Sequence, residues 1–177
     1  MPIEVHSGYE FRMAEEEEPG CCQHGPSPVP QDIHVFLCSE ALRKAIASAR
    51  TSFSEGKEAL GYLLGRPFLS GGKMKIRISG VVELPAIATA HHVEIDRDTG
   101  DNFEIGIRDG ELIVGWYHSH TGQGCFLSST DTRTHQRWFT QAYSVALVIE
   151  GSDGNFEVFA SKGNMFYSPA YCIFDEK

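Results

Sequence analysis

Apolar residues recur along this chain in two periods, and the switches between them mark out its elements. Residues 32–38, DIHVFLC, form a short apolar run that predicts a strand. After it, Leu42, Ala45, Ile46, Ala49 and Phe53 fall at helical spacing, with Ser39 as the expected cap and Gly56 as the expected stop. EALGYLLG (58–65) is too short and too apolar for a surface helix and reads as a buried strand. The glycine pair 71–72 turns the chain into the alternating strand KMKIRISGVVEL. HHVEID and NFEIGI read as strands on either side of a polar turn, and ELIVGWYH (111–118) as a buried strand. STDTRTHQRWFTQAY reads as a helix, and SVALVIE and NFEVFAS as a hairpin across GSDG. The order β-α-β-β-(β-β)-β-α-β-β predicts an α/β fold of mixed α+β type, a central mixed sheet flanked by helices.

Composition changes this picture at one place, the front of the chain. The 177 residues carry a net charge of −9. Seven of the 24 acidic residues and one of the 15 basic ones fall in residues 1–32, so that segment holds −6 and the rest −3. AEEEEPGCCQHGPSPVP has no apolar period, so residues 1–31 are expected to be an acidic, proline-rich disordered tail and 32–177 a single domain. Cys21, Cys22 and His24 lack a matching ligand pair and read as chance composition. The five cysteines show no framework spacing, and reduced thiols are expected. No run approaches the roughly 18 apolar residues of a membrane span, and no secretory leader is legible, so the expectation is a cytoplasmic protein without a membrane partner. The acidic balance argues against nucleic acid as a partner.

Candidate chemistry is concentrated in GWYHSHTGQGCFLSSTD (115–131). On a strand, residues two apart share a face, so His118 and His120 point together near the end of ELIVGWYH. Two imidazoles held in that way are half a zinc site. Asp131, eleven residues after His120, stands at the start of the next helix, and the glycine-rich loop is long enough to bring it back onto them. Ser128 and Asp131 also make a capping box, which by itself accounts for both. Trp116 and Tyr117 read as core and rim, and His135 as solvent-facing or paired with a neighbour. His91 and His92, being adjacent, face apart. Glu58 leads directly into an apolar strand, where a carboxylate is costly to bury without a role; the alternative is an exposed strand end after Lys57.

Together, Glu58 followed by LGYLLG, then His118-Ser119-His120, seven residues, Ser128, two residues and Asp131 resemble the motif of the JAMM metalloproteases, also called MPN+ or JAB1/Mov34. The resemblance covers about residues 33–162, and it implies an MPN/JAB domain of cytidine-deaminase-like fold. By that resemblance His118, His120 and Asp131 hold one Zn²⁺ per chain, Glu58 is the general base and Ser128 helps to stabilise the oxyanion. The substrate implied is a peptide or isopeptide bond after the C-terminal tail of ubiquitin or a ubiquitin-like protein, with E1- or E2-like enzymes as possible pathway partners. Thr121 stands where the family usually has proline, which should loosen the loop. The short segments before and after the motif fit a compact, prokaryotic-type member better than a proteasome or signalosome subunit. A glycine-rich tail needs a strand edge, and Val93, Ile95, Phe103 and Ile105 in the two β-prone pieces are the candidate substrate contacts. The competing readings are processing of a sulfur-carrier protein, hydrolysis of a small amide by the same chemistry, and a non-catalytic MPN scaffold.

Overall fold

The computed structural model describes residues 13–25, 34–84, 87–89, 92–94, 108 and 110–176. Its strands are β1 (Gln23–Gly25), β2 (Val35–Cys38), β3 (Leu60–Ser70), β4 (Lys73–Glu83), β5 (Ile87–Thr89), β6 (His92–Glu94), β7 (Leu112–His120), β8 (Val145–Glu150), β9 (Phe156–Lys162), β10 (Met165–Tyr167) and β11 (Tyr171–Phe174). The helices are α1 (Ser39–Ser54) and α2 (Ser129–Trp138). Nine strands form one mixed sheet in the order β1-β11-β2-β4-β3-β7-β8-β9-β10, and β5 and β6 form a separate antiparallel pair. Among the described residues no helix is long and apolar enough to cross a membrane.

Two-sided burial explains the apolar runs. Val35, Leu37, Leu63, Ile76, Ile78, Val114, Leu147 and Ile149 pack on one face of the sheet against Leu42, Ala45 and Ala49 of α1. Leu60, Tyr62, Leu64, Trp116 and Ala146 point to the other face, where they meet Phe139 and Trp138 at the end of α2. Each fully buried Leu or Ile contributes roughly 1.5–3 kcal/mol. α2 carries the chain from β7 to its parallel neighbour β8, in register from Gly115↔Val145 to His120↔Glu150. Glycine is required at 115 because a Cβ there would stand 1.9 Å from the Val145 carbonyl oxygen.

Three expectations are corrected. Ser39 is not the cap: Cys38 occupies the N-cap without a side-chain hydrogen bond, and the Ser39 hydroxyl donates to the Asp175 carboxylate. Residues 13–25, expected to be unpacked, are docked. β7 pairs with β3 only as far as Gly65, which leaves the far half of β3 with an open edge. Residues 14–16 take it, with Leu69 N–H donating to Ala14 C=O at 2.9 Å and Glu16 N–H to Leu69 C=O at 2.8 Å. Glu16 forms a two-pronged ion pair with Arg66, Glu18 lies 3.7 Å from the buried Lys75, and β1 adds to the edge of β11. Backbone pairing and charge do the holding, so no apolar period announces it. The third correction concerns the thiols: Cys21 is disulfide-bonded to Cys172, while Cys22, Cys38 and Cys125 are free. The pair is formed because β1 lies beside β11, a neighbourhood that spans 151 residues of sequence.

Candidate metal centre

The site is assembled at the ends of β7 and β3. Alternation along β7 puts Trp116, His118 and His120 on the face that α2 covers, and Leu60 of β3 lies directly across from His118. Between the histidines, Ser119 points the other way and clasps the chain just before β3. Its hydroxyl accepts Ala59 N–H at 2.8 Å, and its own N–H donates to Ala59 C=O at 3.0 Å. This two-way bond fixes the backbone next to Glu58, near enough to His120 for the Glu58 charge to act on that ring. Glu58 is 6% exposed, so it is no frayed strand end, and its charge favours the protonated form of His120.

Asp131 arrives from the first turn of α2. The capping box is present: Ser128 Oγ accepts Asp131 N–H at 3.1 Å, and Ser128 N–H donates to Asp131 Oδ2 at 2.7 Å. The same Oδ2 lies 3.3 Å from His118 Nε2 and 3.6 Å from His120 Nε2. Cap and ligand are therefore one geometry, in which the cap aims the carboxylate at the histidines. One ligand atom from each of His118, His120 and Asp131 lies within 4.8 Å of the other two.

The electrostatics fit a cation. His118 is 1% exposed, and neither ring nitrogen has a hydrogen-bond partner; its 3.3 Å approach to Asp131 lacks hydrogen-bond geometry. A buried imidazole left in that way is costly unless something else takes up its lone pair. Burial pushes the His118 pKa down despite Asp131. Burial also opposes the charge on Asp131, but the two histidines and Ser128 outweigh it and hold the carboxyl far below the usual range. For His120, burial is outweighed by Asp131, the Gly124 carbonyl and Glu58, and its pKa rises. Two nitrogens and one anionic oxygen with a buried acid beside them make a donor set suited to Zn²⁺.

The two histidines are held by different devices. His120 Nδ1 lies 2.7 Å from the Gly124 carbonyl. His118 instead stacks on Trp116, with ring centroids 4.5 Å apart and planes at 17°. Trp116 Nε1–H donates to His135 Nδ1 at 3.1 Å. His135 thus pairs with a neighbour, but it is buried rather than solvent-facing, and burial lowers its pKa to about 4. Tyr117 is wholly buried with its hydroxyl on Ser48, so it belongs to the core, as Trp116 does. Phe126, partly exposed, covers the outer side of His120 at 4.8 Å. The loop behind Thr121 is braced, because the Glu150 carboxylate accepts backbone N–H groups from Gly122 and Gly124.

Of the residues singled out in the sequence, His118, His120, Asp131, Ser128 and Glu58 are gathered here. Val93 lies in β6, opposite Ala88, in the small second sheet. Ile95, Phe103 and Ile105 lie outside the described residues. Ser119, His135 and Glu150 carry structural parts that the sequence reading did not assign. For Glu150 a signal existed: it is an acid closing a wholly apolar strand, the same feature that drew attention to Glu58.

The chain matches a family model described as JAB1/Mov34/MPN/PAD-1 ubiquitin protease over residues 31–142. It is 32% identical over 131 residues to the 26S proteasome non-ATPase regulatory subunit 14 of Dictyostelium discoideum, covering 70% of this chain and 41% of that protein. It is also 32% identical over 122 residues to the ubiquitin carboxyl-terminal hydrolase RPN11 of Saccharomyces cerevisiae, covering 65% of this chain and 37% of that one. The chain thus spans less than half the length of these curated relatives, the first of which is named as a proteasome subunit where the sequence pattern pointed to compact members. A solution structure of a protein from Desulfitobacterium hafniense superposes with a TM-score of 0.58 at 19% identity, covering 80% of this chain and 94% of that one, and supports the fold.

Proposed function

We propose that this chain, which belongs to the JAB1/Mov34/MPN/PAD-1 ubiquitin protease family, is a zinc-dependent isopeptidase or peptidase cutting after the glycine-rich C-terminal tail of ubiquitin or a ubiquitin-like protein. The observation that carries this reading is the convergence of His118, His120 and Asp131 beside a buried Glu58. His118 and His120 would hold Zn²⁺ through Nε2 and Asp131 through a carboxylate oxygen. Bound there, the ion supplies Lewis-acid polarisation of the scissile carbonyl and lowers the pKa of a coordinated water toward ~7.

The protein's own groups do the rest. Glu58 takes the proton of the attacking water and returns it to the leaving amine, ending as the carboxylate it began as. Ser128 Oγ already accepts Asp131 N–H, so its own hydrogen is left to donate to the developing oxyanion. One such donor is worth roughly 3 kcal/mol. The capping box keeps Ser128 and Asp131 in fixed relation, which spares the site a reorganisation during the reaction. Selection falls to the tail of the modifier, which would pair in extended form with the segment around Val93, Ile95, Phe103 and Ile105. E1- or E2-like enzymes are the expected partners of such a pathway.

Elemental analysis should find about one zinc per chain, and much less in His118→Ala; equal zinc in both would remove the metal assignment. The zinc-loaded protein should cut a diglycine-ended ubiquitin-like fusion immediately after the glycine pair, read by intact mass. If zinc binds and no such fusion is cut, the sulfur-carrier or small-amide reading moves ahead.

A further inference from the structure

The loop that follows His120 is wound around a single buried carboxylate. Glu150 closes β8 directly beside His120, its partner in the parallel register. Its Oε1 accepts Gly122 N–H at 2.8 Å and Ser152 N–H at 3.1 Å, and its Oε2 accepts Gly124 N–H at 2.8 Å. Gly122 and Gly124 have φ of 94° and 86°, left-handed conformations that let both of their N–H groups turn onto the same carboxylate. Gly151 N–H, next along the chain, donates to His120 C=O at 2.9 Å. The carboxylate therefore ties both ends of the turn to β8.

The consequence lies one bond further on. The Gly124 carbonyl, carried by the same peptide turn, stands 2.7 Å from His120 Nδ1. A carbonyl can only accept, so Nδ1 bears a proton, and in the neutral ring the lone pair is left on Nε2, which lies 3.6 Å from Asp131 Oδ2. His118 has no equivalent, since its Nδ1 is without a hydrogen-bond partner and its ring is held by stacking on Trp116. We infer that Glu150 is a positioning residue that sets the tautomer and ring orientation of His120, and so its competence as an Nε2 ligand, through the Gly122–Gly124 turn. Proline would stiffen this loop at 121 by fixing φ; Thr121 does not, and the two hydrogen bonds from Gly122 and Gly124 to Glu150 hold the turn instead.

The inference rests on the zinc reading of the site, and its test separates the two. In the metal-free protein, at a pH high enough to leave the His120 ring neutral, long-range nitrogen–proton correlations of that ring should show the Nδ1–H tautomer. A neutral ring protonated on Nε2 alone in the wild type would overturn the inference whatever the zinc content. Glu150→Gln keeps the shape but turns a donor toward a backbone N–H. It should give a mixed tautomer, faster exchange of the Gly122 and Gly124 amides, and zinc affinity lower by about 10–100-fold in chelator competition, the usual cost of removing a group that orients a ligand. Glu150→Asp, which keeps the charge at shorter reach, should fall between Gln and wild type. Glu157→Gln, an acid on the neighbouring strand, controls for charge alone and should leave zinc affinity unchanged. If Glu150→Gln folds with an unchanged tautomer and unchanged affinity, Glu150 is not the brace. If wild type binds no zinc yet shows the Nδ1–H tautomer that Glu150→Gln loses, the metal reading fails and the brace stands.

Discussion

The metal end of β7 and the strap formed by residues 13–25 both tie distant parts of the chain together, by opposite means. At the metal end, four of the five gathered side chains come from residues 118–131, and the fifth, Glu58, stands two residues before β3, the strand paired with β7. Side-chain geometry does the work there, in a buried setting. The strap works through backbone hydrogen bonds on the open half of β3, ion pairs to Arg66 and Lys75, and the Cys21–Cys172 bond. It lies at the far end of β3 from His118, since Leu69 is in the hairpin half and Leu60 is the residue across from His118. The first region gathers polar side chains at one end of the sheet, the second covers an open strand edge, and each should be separable from the other.

The largest expected effect belongs to the metal end. Glu58→Gln should lower kcat by about 10²–10⁴-fold, since the amide cannot take a proton. Zinc content and thermal midpoint should stay near wild type, because the isostere fills the same buried space. A variant with normal turnover would make Glu58 structural and require another base.

Cys21→Ser should do the reverse. Opening a cross-link that spans 151 residues is expected to cost about 2–5 kcal/mol in urea unfolding. Zinc content and kcat at 25 °C should be unaffected. Loss of zinc in Cys21→Ser would show that the strap supports the metal end after all, and the contrast would collapse.

His135 gives a smaller effect and sharpens the account of the metal end. Burial places its folded pKa at about 4, below the ordinary value near 6.5. As pH falls, the unfolded chain takes up the proton first. The contribution is therefore present above about pH 6.5 and drains away as pH drops toward 4. His135→Gln retains an acceptor for the Trp116 N–H but removes the titration. Between pH 7 and 4.5 the wild type should lose about 2–3 kcal/mol more than this variant in urea unfolding. Equal losses would mean that His135 is not kept neutral by its surroundings.

Period and spacing in the sequence determined most of the sheet, α1 and α2, and they drew attention to His118, His120 and Asp131, which the fold brings together. Apolar alternation follows directly from which face of a strand is buried. The spacing of His118, His120 and Asp131 follows from one strand, one loop and one helix start, all local. Ser128 shows how far local reading goes: the capping box expected on paper is present, and it leaves the Asp131 carboxylate facing the two histidines. What only the tertiary structure decided are contacts between residues remote in sequence that are made by backbone or by single polar groups. Ser119 clasps Ala59, Glu150 braces the turn behind His120, His135 holds Trp116, and the acidic strap closes the free edge of β3. Such contacts leave no periodic trace, because a backbone N–H or a lone carboxylate looks the same in the sequence whether or not a partner waits for it across the sheet.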